Sequence, residues 1–267
     1  MTTVPTAGSY RGLGDVKLIG RQVRYEQLSF WLNPVGAIFT IGFSTVFLVM
    51  LGSLDGNAKV SFLDNIRMVQ YYVPGFAAYG IMSSCYNLLA LNLVNRREMG
   101  LLKRLRLSPV PTWILMASIF LSSIIIAALQ VVLMMLVGRV AFNVHGPANV
   151  LPFVLAVIVG MLCFTALAVG ISTLVPNADS AGPAVNIVFF ILVAFSGLYF
   201  AIPPHSVLAT VTGYFPVRHL ILSLETTFNR TPGVTAWPWH DMGVMAIWAV
   251  AGIVLALRRW QWAPRRG

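Results

Sequence analysis

The sequence predicts an all-α membrane protein with six transmembrane helices. Three observations predict it. Of 267 residues, 58% are hydrophobic and only 10% charged, whereas a soluble domain is about a quarter charged. The apolar residues gather into runs close to the ~20 residues that cross a bilayer. The 18 Lys and Arg residues sit at the ends of those runs. That placement argues against a nucleic-acid partner despite the net charge of +10, because such contact needs a continuous basic surface. Cys85 and Cys163 both lie inside apolar runs. Neither a disulfide framework nor a metal site is therefore expected.

The whole chain, 1–267, reads as a single transmembrane domain. Residues 1–9 read as a disordered start. Residues 10–30 read as a helix lying in the membrane interface. At 100° per residue Val16, Gly20, Val23 and Gln27 share a face, with Lys17, Arg21 and Arg24 beside it, facing anionic lipid. A plain juxtamembrane charge cluster is the alternative. The spans follow at 34–51, 72–93, 113–137, 151–175, 183–201 and 238–257. The first is too long for a signal-peptide core and lacks a small-residue cleavage site, so it is expected to be retained. Small pairs such as Ala166/Gly170 and Gly252/Ala256 permit close helix approach. Trp237, Trp239, Trp260 and Trp262 bracket the last span like interfacial anchors.

The segment 202–236 is long yet apolar, and Pro203, Pro204, Gly213 and Pro216 break it into pieces too short to span. It reads either as two short re-entrant helices buried against protein or as an amphipathic surface loop. Cations set the orientation. With both termini on one side, that side receives Arg11, Lys17, Arg21, Arg24, Arg96, Arg97, Lys103, Arg104, Arg106, Arg258, Arg259, Arg265 and Arg266. The other receives Lys59, Arg67, Arg139, Arg218 and Arg230. The richer side is cytoplasmic by the positive-inside rule, so both termini are expected there.

Missing motifs narrow the chemistry. No G-x-x-x-x-G-K-[ST] loop occurs, so ATP hydrolysis is not expected of this chain. No nucleophile elbow or HExxH occurs, and His145, His205, His219 and His240 stand at no metal-ligand spacing. An enzyme acting on lipids would need clustered acidic or His residues near the interface, and the cytoplasmic side offers only Asp15, Glu26, Glu98 and Asp179, scattered. The span centres hold no Asp, Glu, Lys, Arg or His, which weakens proton coupling. Sodium coupling through broken helices, or an ATP-independent channel, stays open. The spans do offer Asn87, Gln130 and Asn186 with Phe189 and Phe190. These either line a path for an amphipathic substrate or hydrogen-bond and pack neighbouring helices.

Between spans two and three lies NRREMGLLKRLRLSPVPT, residues 95–112, with five Lys and Arg residues. Arg96, Arg97 and Glu98 open a short helical pattern that Pro109 and Pro111 stop. A plain positive-inside loop would also account for its charge. The stretch resembles the cytoplasmic loop of permease subunits of type-2 ATP-binding-cassette exporters. The match runs through Arg97, Glu98, Gly100, Leu105 and Pro109, and the run from Phe215 to Leu220 agrees with it. The resemblance covers nearly the whole chain, and the loop is most similar to the drug- and antibiotic-exporting branch of the daunorubicin-resistance type.

That resemblance implies a permease subunit that performs no bond chemistry and carries no cofactor. ATP and magnesium would sit on a separate ATPase, present in two copies beside two permease copies, identical or not. Residues 95–109 would form a coupling helix seated in the ATPase. Glu98 would make a polar contact, and Arg96, Arg97, Lys103, Arg104 and Arg106 would face the ATPase or lipid headgroups, with Gly100, Leu101, Leu105 and Pro109 shaping the helix. A hydrophobic or amphipathic substrate would move outward. The rival branch exports polysaccharide or teichoic acid. High Ala, Val, Gly and Arg content suits a GC-rich bacterium, and so a bacterial plasma membrane.

Overall fold

The computed structural model describes residues 13–60, 66–100, 111–199, 202–203, 206–229 and 237–260. The expected disordered start at 1–9 and most of the loop at 101–110 lie outside the described residues. The rest forms an all-α bundle.

Helix α1, Leu13–Trp31, runs where the interfacial helix was expected. Helix α2, Pro34–Asp55, starts sharply because Asn33 caps it: the Asn33 carboxamide accepts the Gly36 N–H at 3.2 Å, and Pro34 needs no donor at the first position. A short antiparallel ladder, Lys59–Val60 (β1) with Ile66–Arg67 (β2), leads into helix α3, Met68–Glu98. Helix α4 is Thr112–Phe142 and helix α5 is Val150–Ser172. Asn143, in the left-handed region at φ 52°, ends α4. Arg67 reaches across to that end and donates to the Phe142 and Asn143 carbonyls at 3.4 and 3.3 Å, where the helix dipole favours a cation.

The sequence expected a fifth span over 183–201. The structure has instead helix α6, Ala181–Ala194, of 14 residues. At 1.5 Å per residue it is about 21 Å long, short of the ~30 Å hydrocarbon core. Local chemistry stops it. Ser196 donates its hydroxyl back to the Val193 carbonyl at 2.6 Å and accepts the Leu198 N–H at 2.9 Å. Gly197 then takes φ +76°, in the left-handed region that glycine adopts without strain. Among the described residues, five helices are long and apolar enough to cross a membrane: α2 to α5, and the last, α9, Trp239–Arg259. The fold is therefore a multi-spanning all-α membrane protein.

Between α6 and α9 the chain forms two short helices, α7, Val207–Thr212, and α8, Pro216–Phe228. Ser206 caps α7 by accepting the Ala209 N–H at 3.0 Å. Helix α8 is nearly all buried and packs on α3, α5 and α9. Its C-terminal carbonyls, from Thr227 and Phe228, take the Asn149 and Ala148 N–H groups, both at 3.1 Å, which stitches it to the α4–α5 connection. Helix α3 is the hub. Its residues from Tyr71 to Tyr86 are buried without interruption, against α2, α4, α5 and α8. Helix α9 packs mainly on α5 and leaves Ile247, Val250, Ile253 and Leu257 exposed on its far side.

Candidate functional site

Two helices depart from regular α geometry. A π turn occupies Ile38–Gly42 in α2, and another occupies Ser83–Leu88 in α3. A π turn shifts the hydrogen-bond ladder and frees backbone groups, which other side chains must then satisfy. Gln130 on α4 does this in α2. It is fully buried, donates Nε2 to the Thr40 carbonyl, and accepts the Ser84 hydroxyl at 3.1 Å. One amide thus joins both π turns, and its hydrogen bonding is interhelical. The α3 turn also presents Asn87, which donates Nδ2 to Asn186 Oδ1 of α6 at 2.7 Å. Phe189, one turn further along α6, is buried edge-on against Tyr79, with ring centroids 5.6 Å apart. Of the five residues that the sequence singled out in the spans, the structure therefore gathers Asn87, Asn186 and Phe189 at one α3–α6 contact. Gln130 lies apart from them, between α3 and α2. Phe190 is exposed on the outer face of α6.

The charged end of α3 is more tightly built than its sequence indicates. The Arg96 guanidinium grips Glu26 of α1 with two bonds, at 2.8 and 2.6 Å, and donates Nε to Asn92 at 2.6 Å. Such a bidentate pair fixes orientation as well as distance. Gln27 adds bonds to the Ser122 carbonyl and hydroxyl of α4, both 2.9 Å. Helix α1 is thus fastened to α3 and α4. Arg97 turns the other way. It is buried, and it donates to the Ser172 and Val175 carbonyls, at 3.1 and 2.6 Å, which close the C-terminal end of α5. Its Nε meets Glu98 at 2.8 Å. Orphan carbonyls and the helix dipole both call for a cation there. Gly100, at φ +68°, ends α3, and its N–H closes on the Arg97 carbonyl at 3.0 Å. Leu101, Lys103, Arg104, Leu105, Arg106 and Pro109 lie outside the described residues.

A cavity of about 320 Å³ opens among α1, α2, α3 and α4 at this end. Glu26, Asn33, Asn92 and Arg96 supply polar lining, with Ile119 and Ile126 as apolar wall. Its named polar groups come from α1, the residue that caps α2, and α3, about 60 residues further along the chain, so no single local pattern announces it.

Helix α8 carries a third group of polar residues. Glu225 is buried, and burial pushes its carboxyl up to about 7, although Arg218 on the same helix pulls the other way. His219 holds its ring between the Gly213 carbonyl, 2.8 Å from Nε2, and Asp241 of α9, 2.6 Å from Nδ1. Burial opposes charge on this imidazole, but the bonds to Asp241 and Gly213 prevail and raise its pKa. His240 stands beside them. Linear spacing gave no hint of this, because 22 residues separate His219 from Asp241.

Comparison with known proteins bears on this arrangement. Residues 37–258 match the family model described as ABC-2 family transporter protein. No curated protein sequence matches the chain.

Proposed function

The chain belongs to the ABC-2 family of transporter proteins, and from that premise we propose that it is the permease subunit of an ATP-driven exporter powered by a separate ATPase. Two permease copies would join two ATPase copies, and the substrate would be hydrophobic or amphipathic, in the manner of the drug- and antibiotic-exporting branch. Both termini and residues 95–109 would lie in the cytoplasm, with α6 and the residues that follow it together completing a sixth crossing, and α7 and α8 dipping back into the outer half of the bilayer.

One observation carries the coupling role: adjacent arginines at the end of α3 fasten it to α1 and to α5. A push on the loop that follows Gly100 would reach both helices as one body. Glu98, held on Arg97 at 2.8 Å, would meet the ATPase with its geometry already set. The same motion would strain the α3–α6 contact at Asn87 and Asn186, which we assign to the substrate path. The Arg96–Glu26 clamp would keep α1 moving with the bundle.

The test is reconstitution of the permease with its cognate ATPase in lipid. Substrate-stimulated ATP hydrolysis is expected in the wild type. Arg96→Ala is expected to lose most of the stimulation, about fivefold or more for an interaction of ~1–3 kcal/mol, while the complex still assembles. Flux that persists without the ATPase would point to a channel or carrier and sink the proposal.

A further inference from the structure

We propose that His219, His240 and Asp241 bind a divalent transition-metal ion, zinc by preference, which ties α8 to the start of α9. The argument begins with the His219 ring. The Gly213 carbonyl can only accept, so Nε2, at 2.8 Å, carries the hydrogen. That leaves Nδ1 facing Asp241 Oδ1 at 2.6 Å. A proton on Nδ1 makes this a charge-assisted hydrogen bond to the carboxylate, and a metal ion can take the place of that proton between the two atoms. A proton would satisfy those two atoms alone. A third donor is also present, because His240 Nδ1 lies 3.7 Å from the same carboxylate oxygen. One donor atom from each of the three residues falls within 4.8 Å of the others.

Those separations suit a metal after small movements. Zinc bonds imidazole nitrogen and carboxylate oxygen at about 2.0–2.2 Å, which sets neighbouring ligand atoms roughly 3.4 Å apart in a tetrahedron. The His219–Asp241 gap would open by under an ångström, and the widest separation would close by a little more. His240 can make the larger move, because its side chain is 83% exposed. Two imidazoles and one carboxylate favour zinc, or copper and nickel among competitors, over calcium or magnesium, which want oxygen donors. The Gly213 carbonyl already fixes the His219 tautomer, as the outer partner of a metal-bound imidazole usually does. The fourth position would be open to water.

The experiment uses the full-length chain in nanodiscs, purified without a histidine tag. Cobalt(II) is titrated in, and the visible bands of low-coordinate cobalt are followed; zinc is then added to displace it. One cobalt per chain is expected, with loss of the bands on zinc addition. His240→Ala is expected to weaken binding about tenfold or more. Because His240 is exposed, this variant should keep the metal-free melting temperature of the wild type. Zinc should raise that temperature in the wild type, and the variant should need about tenfold more zinc for the same rise. No stoichiometric cobalt or zinc binding by the wild type, or equal binding by His240→Ala, would overturn the proposal.

Discussion

Arg97 is only 4% exposed, yet it carries a full charge. Every arm of its guanidinium is used, on Glu98 and on the carbonyls that end α5. Truncation would strand those acceptors together. Arg97→Ala should cost about 3 kcal/mol, as the loss of one partner of a buried ionic contact does. Arg97→Lys should recover only part of that, since a single ammonium cannot span the fork. Denaturation midpoints in detergent would show both, and an Arg97→Ala midpoint equal to wild type would remove the capping role. The residue itself was legible in the sequence as part of the Arg-Glu-x-Gly pattern. Its direction was not, because nothing local says that a loop arginine will turn inward to the end of a helix 75 residues away. Gly100 was legible in the same pattern, and its reason is now plain: only a positive φ ends α3 at that point.

At the scale of elements, hydrophobic length located each of the five described helices long and apolar enough to cross a membrane, because a run of apolar residues is its own signal. It failed at α6. There the run is long enough, but Ser196 and Gly197 break the helix from within, and an average over apolar residues does not weigh two small ones. The small pairs were visible but uninformative alone. Their role depends on who faces whom. A side chain on Gly252 would meet the Ala166 backbone at 2.7 Å, and one on Gly170 would meet the Gly252 carbonyl at 2.8 Å. Helices α5 and α9 therefore touch backbone to backbone. Gly252→Val should push α9 off α5 and cost about 1–3 kcal/mol, read as a lower melting temperature. Gly243→Ala, on the same helix with open space around it, should be silent or slightly stabilising. Equal behaviour of the two variants would show that the contact does not hold α9.

For the whole molecule the open quantity is orientation, which charge counting addressed and side-chain packing does not. Single cysteines can settle it, because the native Cys85 and Cys163 are buried and should stay silent. With a membrane-impermeant maleimide on intact cells, Ala148→Cys should label. Asp179→Cys and Arg259→Cys should label only after permeabilisation. Labelling of Arg259→Cys from outside, with Asp179→Cys still protected, would mean that α6 does not complete a crossing and would put the two termini on opposite sides. The partly buried polar pairs were the least legible part at this scale. Asn87 with Asn186, Glu26 with Arg96, and His219 with Asp241 are each brought together only by the tertiary fold.

The π turn in α3 bears on the phase of the helix beyond it. One extra residue advances every later side chain by about 100° around the axis. Past that turn, Ala90, Leu93, Val94 and Arg97 all face inward on one stripe. Deleting a single residue within Ser83–Leu88 would leave a smoother, more regular helix, and would swing that stripe away from α5. The direction in which Arg97 points at the end of the bundle is thus written three turns earlier, as an irregularity in the middle of a helix.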